Sequence, residues 1–437
     1  MVYSMDRNLI LAYIRAHEDE AKRLMRMYDY YRGRHDILRR RMDDPSKPNN
    51  RLCCGYPALI ANAYAGYMHG EPVNYSAEDA LMENVSQTMN YNDAQAEDAM
   101  LGLDLAVCGV AVELHYTDED GMERFRRVDP VNCVEVRDGT LEDRLTALIR
   151  YYDTVDVLTN LTPRHVDVYE ADVITYYVVD GADLVEKDSE QHYYGDVPAV
   201  VYQNNTDRMG DFEGVITLID AYDLMQSESL NDQEYFSDAY LVLKDLMGTT
   251  PEEIAEMKKN RVLLVPADAD AGFLIKQQSD ALTENIKTRL NNDIHRFSGC
   301  PDMTDQNFAG NASGVAIRYK LLQFENIAGV KEREFKRGLQ RRLELLCNIW
   351  AVKNRGAFDW RDVQISFKRA LPQNLLEIAQ TLSELGGLLS DETKRAQLPI
   401  DFSEQLEQER LKRQRQENMA LYAVPSGYEE LTPDGDE

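Results

Sequence analysis

The chain has 437 residues, long enough to bury a sizeable core and to divide into more than one unit. With 48 Lys+Arg against 77 Asp+Glu its formal net charge is −29, and so acidic a surface disfavours tight, non-specific nucleic-acid binding through charge neutralisation. Six scattered cysteines without a C-x-x-C fit synthesis in a reducing cytosol, and with neither a signal-peptide pattern nor a membrane-length apolar window a soluble protein is expected.

In chain order, residues 6–31 predict one helix, with Leu9, Tyr13, Leu24, Tyr28 and Tyr31 partly on one side. RGRHDILRRRMDDPSKPNNRL follows, basic at first and then rich in turn formers. Pro45, Pro48 and Asn49-Asn50 predict an extended connection. In so acidic a chain, pairing of Arg32, Arg34, Arg39, Arg40 and Arg41 with neighbouring acids is favoured over contact with phosphate. Tyr56-Pro57 opens a second helix that Gly70 stops, since proline suits a first turn that needs no amide donor. Further helices are expected from Ala77 and over 92–107, the last closed by Gly109.

From Val110 to Gln203 the texture is β: short β-branched or aromatic runs, punctuated by the hairpin signals Asp120-Gly121, Asp138-Gly139 and Asp180-Gly181. Helical spacing returns after Asp211 in Val215, Leu218, Ile219, Tyr222 and Met225. The continuation QSESLNDQEYFSDAY loses that stripe, and a helix polar on most faces needs partners beyond its own domain. AYLVL, a short helix begun at Thr250-Pro251-Glu252-Glu253, RVLLVP and GFLIKQ then form a small mixed unit. Asp268-Ala269-Asp270-Ala271-Gly272 lacks the third acidic position and distant Glu of a calcium loop, so a turn is expected.

Residues 280–350 predict two amphipathic helices around a polar, acidic loop. The first carries Leu282, Ile286, Leu290, Ile294 and Phe297 and ends at Ser298-Gly299. The second carries Ile317, Leu321, Phe324, Ala328, Phe335, Leu339, Leu343, Leu346 and Trp350. Gly329 interrupts that stripe and weakens the helix by roughly 1 kcal/mol relative to alanine, as a kink or as a tolerated glycine. DVQISFKRALP reads as a strand whose partner lies far away in sequence. Helices are expected over 374–389 and 402–422, and the acidic VPSGYEELTPDGDE as a disordered tail.

Chemistry is nearly absent. No nucleotide-binding, metalloprotease or hydrolase motif occurs, and seven histidines lack metal-ligand spacing. Gly310-Asn311-Ala312-Ser313-Gly314 lacks the lysine of a phosphate loop; Asn311 or Ser313 caps the next helix. No catalytic residue, metal or cofactor is assigned, and the protein is not expected to be an enzyme.

YYRGRHDIL, SKPNNRL and GYMHGEPVNYS resemble the N-terminal signature of the SPP1-like family of tailed-bacteriophage portal proteins. FSDAYLVL, DMTDQNFAGNASGVA and AIRYKLLQFENIAGVKEREFKRGLQRRLELL extend the resemblance, which covers about residues 30–376. It implies an α+β portal fold: a wing of N-terminal helices and antiparallel strands over 1–211, stem helices over 212–237 and 280–299, and a clip over 238–279. A tunnel loop over 300–312, a long kinked helix over 313–350, a wing return strand within 351–372, a crown over 373–423 and a tail over 424–437 complete it.

The resemblance further implies a homo-oligomeric ring of about twelve subunits at one capsid vertex, assembled in the bacterial host cytoplasm and retained in the virion. Double-stranded DNA would pass through it without sequence specificity during packaging and ejection. Terminase, head-tail connector, major capsid and scaffolding proteins would be its partners, with no membrane. Asp302, Met303, Thr304, Asp305, Gln306, Asn307 and Phe308 would face the DNA, and Gly329 would be the hinge. Lys244, Asp245, Glu252, Glu253, Lys258 and Lys259 in the clip would meet terminase or connector. Arg333, Arg337, Arg341 and Glu344 would pair across subunits or lie on a solvated face. The alternative is a structural ring, connector or scaffold of the virion that passes no DNA.

Overall fold

The N-terminal helix is interrupted where its two halves meet different surfaces. α1 (Arg7–Ala16) starts at Asp6, whose carboxylate accepts from the Asn8 and Leu9 amides, and α2 (Glu18–Tyr31) starts one residue after α1 ends. Ile10 of α1 is fully buried in the cluster of Val134, Ile149 and Val166, whereas α2 buries Leu24, Met27, Tyr28 and Tyr30 elsewhere. Glu18, Asp19 and Glu20 favour a fresh helix N-terminus, where the helix dipole stabilises negative charge. The single helix expected over 6–31 is therefore two, and Leu9 faces outward.

The computed structural model describes residues 5–44, 47–155, 162–236, 240–244, 250, 252, 256, 270–274, 280–302, 319–369, 380, 382–384 and 410–414. Residues Met1–Ala370 form one unit and Leu371–Glu437 a second. In the second unit the described residues are helical, and the expected acidic tail lies outside them.

Helices α3 (Tyr56–His69), α4 (Asp79–Tyr91) and α5 (Ala94–Cys108) follow the sequence expectation, with Pro57 in the first turn of α3 and Gly109 ending α5 at φ 80°. β1 (Asn74–Ser76) lies between α3 and α4. The β region divides into two antiparallel sheets. β2 (Val110–Thr117), β3 (Glu123–Val128) and β9 (Ala199–Gln203) make one, ordered β3-β2-β9. β4 (Cys133–Arg137), β5 (Leu145–Asp153), β6 (Arg164–Tyr169), β7 (Val173–Asp180) and β8 (Asp183–Gln191) make the other, ordered as in the chain. Gly121, Gly139 and Gly181 adopt positive φ in the three hairpins flagged by Asp-Gly. Val112, Leu114, Leu148, Ile174 and Ala199 belong to one buried cluster that joins the two sheets.

α6 (Ile216–Phe236) leads to β10 (Tyr240–Lys244), which pairs antiparallel with β11 (Asp270–Leu274). Asp270 to Gly272 thus lie in a strand, and 268–269 lie outside the described residues. α7 (Asp280–Ser298) and α8 (Leu322–Val352) follow, and β12 (Gln364–Ser366) pairs with β1, the distant partner that its sequence required.

α8 is the spine of the core. Phe335, Leu339, Leu343, Leu346 and Trp350 are fully buried against α4, α5 and the β3-β2-β9 sheet. Burial of such side chains stabilises by roughly 1.5–3 kcal/mol each. Within this stripe sits Arg342, also fully buried, donating to Asp98 of α5 (2.7 Å) and to Glu113 of β2 (2.5 and 3.0 Å). Its guanidinium lies over the Phe125 ring, 4.3 Å from the centroid. Arg337 pairs with Glu334, and Arg341 with Glu344 and Asp196, so these charges find partners within one chain.

One face of the polar half of α6 finds partners in the N-terminal segment. Asp223 and Ser227 are fully buried and Asn231 nearly so, by the chain's own N-terminal segment. The Cys54 amide donates to Asp223 (2.7 Å), the Leu52 amide to Ser227 Oγ (3.0 Å) and the Asn50 amide to Asn231 Oδ1 (2.7 Å). Two extended residues advance about 6.6 Å and four helical residues 6 Å, so alternate amides keep step with every fourth side chain. The other Asp223 oxygen meets His35 Nδ1 at 2.5 Å, while His35 Nε2 contacts the Tyr30 carbonyl at 3.0 Å. Arg34, Arg39 and Arg40 pair with Asp29, Asp36 and Glu228, as expected of a basic cluster in an acidic chain.

Candidate functional site

The stretch between α7 and α8 is the one that the sequence singles out for function, and the structure builds its two ends. α7 ends at Ser298, and Gly299 follows at φ 70°, a left-handed conformation natural to glycine. A Cβ there would lie 2.4 Å from Ile327 Cδ1 and 3.1 Å from the Tyr64 hydroxyl, so no larger side chain fits without displacement. His295 Nδ1 donates to the Cys300 carbonyl (3.0 Å), and Tyr64 donates to the Ser298 carbonyl (3.1 Å). Cys300 is buried, and burial followed by the charges of Asp211 and Asp302 pushes its thiol up to about 12. It is thus a poor nucleophile.

The returning end is held by the same helix, α3. Phe324 lies 4.4 Å from the Tyr64 ring and 4.8 Å from the Tyr67 ring. Tyr67 donates to Glu325, which also accepts from Arg369 (3.2 Å), and Arg369 reaches Glu332 (2.5 Å). Gln323 donates to the Arg296 carbonyl (3.3 Å), tying α8 directly to the last turn of α7. At the other end of α3, Tyr56 donates to Asn291 of α7 (2.6 Å), and its ring meets Tyr222 of α6 edge-on at 5.1 Å. Three tyrosines of one helix therefore brace α6, α7 and α8.

Behind the mount lies a buried charge pair. Lys331 donates to Asp211, which also accepts from Asn204 (2.8 Å), and the ammonium sits 4.4 Å from the Tyr64 ring centroid. Burial raises the Asp211 carboxyl and lowers the Lys331 ammonium, and each charge opposes the shift of the other. Losing either partner would strand the other in the core, at a cost of about 3–5 kcal/mol.

Of the expected site residues, Asp302 lies two residues beyond the Cys300 anchor, and Met303, Thr304, Asp305, Gln306, Asn307 and Phe308 lie outside the described residues. Lys244 ends β10 and Glu252 is helical; Asp245, Glu253, Lys258 and Lys259 lie outside. Gly329 sits inside the unbroken α8, and a Cβ there would meet open space. Nine residues on, a Cβ on Gly338 would lie 2.1 Å from the Tyr202 ring, so packing demands glycine at 338 and not at 329. The bracing tyrosines lie among the residues expected on α3, but nothing in their spacing announces which helices they join.

Residues 10–420 match the family described as phage portal protein, SPP1 Gp6-like. The portal protein of Clostridium phage phiCD119 is 24% identical over 417 residues, covering 88% of this chain and 91% of the relative. The portal protein of Bacillus phage SPP1 is 25% identical over 458 residues, covering 97% of this chain and 88% of the relative. The chain belongs to the SPP1 Gp6-like family of phage portal proteins.

Proposed function

We propose that this member of the portal family forms a ring, of about twelve copies, through which double-stranded DNA enters the capsid and later leaves it. The observation that carries the reading is the mount: α3 holds fixed the end of α7 and the start of α8, the two ends from which the 300–312 stretch with Asp302 and Asp305 is delivered. Repeated around a ring, that stretch becomes a collar. Asp302 and Asp305 would face passing phosphates, and mild repulsion leaves no position where the duplex is trapped. A basic lining would hold DNA through counterion release.

Leu282, Ile286 and Phe297 fall on one face of α7 and are 59%, 40% and 64% exposed. Neighbouring subunits would cover it. The α6–α7 pair serves as the stem, the unit containing β10 and β11 as the clip that receives terminase and connector, and residues beyond 372 as the crown. Gly329, open on its Cβ side, suits a hinge in α8.

Native mass spectrometry and negative-stain microscopy test the ring: a closed assembly with a hole wide enough for duplex DNA is expected, and a stable monomer overturns the reading. Lysine at 302 and 305 together should leave rings intact and slow packaging. Unchanged packaging would remove the role given to the acidic collar.

A further inference from the structure

The motifs around His35 and Asn50 have no part in the mount, and the geometry of the segment they bound has a consequence of its own. Asn50, Leu52 and Cys54 contact α6 through polar groups, and each side chain of 49–54 is exposed or half-buried. Leu52 is 39% exposed, so the segment contributes little to an apolar core. Its three amides take side chains at 223, 227 and 231, one face of α6, and Asn50 Nδ2 adds a donor to Asn231 (3.0 Å). Asp223 closes the arrangement, one oxygen on His35 and the other on the Cys54 amide, so a single carboxylate gathers both ends of a 35–54 loop. Arg51 donates to the Leu38 carbonyl (2.7 Å), which ties the loop to itself.

We propose that residues 49–54 are a releasable strap, which fixes the rotation of α6 by reading one polar face and lets go of it as a single unit while the rest of the fold stays closed. Hydrogen bonds of this kind can be replaced by water, whereas an apolar stripe loses its driving force when opened. A segment with few buried apolar contacts opens locally at a smaller free energy than the core. Because the amides keep step with the helix, loss of one rung leaves the next less well aligned, which makes the strap open together.

The chain carries its own reporters. Cys53 and Cys54 lie in the strap and are half-buried, whereas Cys108, Cys133, Cys300 and Cys347 are buried elsewhere. The test is maleimide labelling of the purified full-length protein in its native assembly, read cysteine by cysteine by mass spectrometry. Asn231→Ala removes the acceptor about 12 Å along the helix from Asp223 and touches neither thiol. Labelling of Cys54 is expected to rise about tenfold, with the four buried cysteines still protected. Unchanged labelling of Cys54 would show that the rungs act separately and overturn the proposal, and so would simultaneous exposure of all six. A measurement on the unaltered protein stands beside it: the amides of Asn50, Leu52 and Cys54 should show one common protection against exchange, lower than that of α6 and α8. Separate protections, or a protection equal to that of α8, would also overturn it.

Discussion

α6 and α8 are both long, and beyond the apolar first turns of α6, where Ile216 and Ile219 are buried, opposite means hold them. α8 presents an apolar stripe in which two charges, Lys331 and Arg342, are neutralised by buried carboxylates. α6 presents Asp223, Ser227 and Asn231 at the same helical spacing and meets backbone amides of an extended segment. An apolar stripe makes a helix hard to move because every contact depends on excluding water. A polar stripe specifies orientation just as well but can exchange its partners for solvent. In a protein whose proposed work is to let a polymer through, a rigid spine beside a helix with exchangeable contacts is a coherent division.

The sharpest way to break this comparison is to damage the spine where it is polar. Arg342→Met leaves Asp98 and Glu113 buried without their counter-charge and should cost about 3–5 kcal/mol in denaturant unfolding. Further replacement of both acids by apolar residues of similar volume should recover much of that loss. Gly338→Ala drives a methyl into the Tyr202 ring and should cost about 1–3 kcal/mol.

Acid probes the same core. Burial, followed by the charges of Lys331 and Arg369, depresses His69 from 6.5 to about 3. Between these values the unfolded chain takes a proton that the fold refuses, so this contribution is present above pH 6.5 and is lost as pH falls towards 3. Asp98 acts oppositely: burial, offset by Arg342, raises it from 3.8 to about 6, so its contribution gains stability as pH falls through that window. His69→Leu removes only the first. Relative to the unaltered protein, the variant should gain about 2 kcal/mol on going from pH 7 to pH 5, measured by unfolding at both. The smallest effect belongs to Gly329→Ala, which should raise stability by up to about 1 kcal/mol because its Cβ meets open space. If α8 must bend there, the same variant should also slow packaging.

Much of this was legible beforehand because repeating local patterns carry it. Apolar residues at helical spacing located α8, and Asp-Gly pairs located three hairpins between antiparallel strands. DVQISFKRALP announced a strand with a remote partner, which proved to be β1. The mount was half legible: Ser298-Gly299 marked the end of α7, while the tyrosines that hold it come from α3, more than two hundred residues earlier. Arg342 left a signal in being a charge within an apolar stripe. Asp223, Ser227 and Asn231 left one too, in short polar residues every fourth position, but their partners are amides, which every sequence contains.

The sequence by itself determined the kinds of element, their order, the acidity and the family, because periodicity, turn chemistry and motif are properties of neighbouring residues. Only the tertiary structure decided what each polar group meets. It split the first helix at His17, set Arg342 between two acids and laid residues 49–54 along α6. Those outcomes depend on the hydrogen-bond partners that distant segments supply once water is excluded, and no local pattern encodes a distant partner.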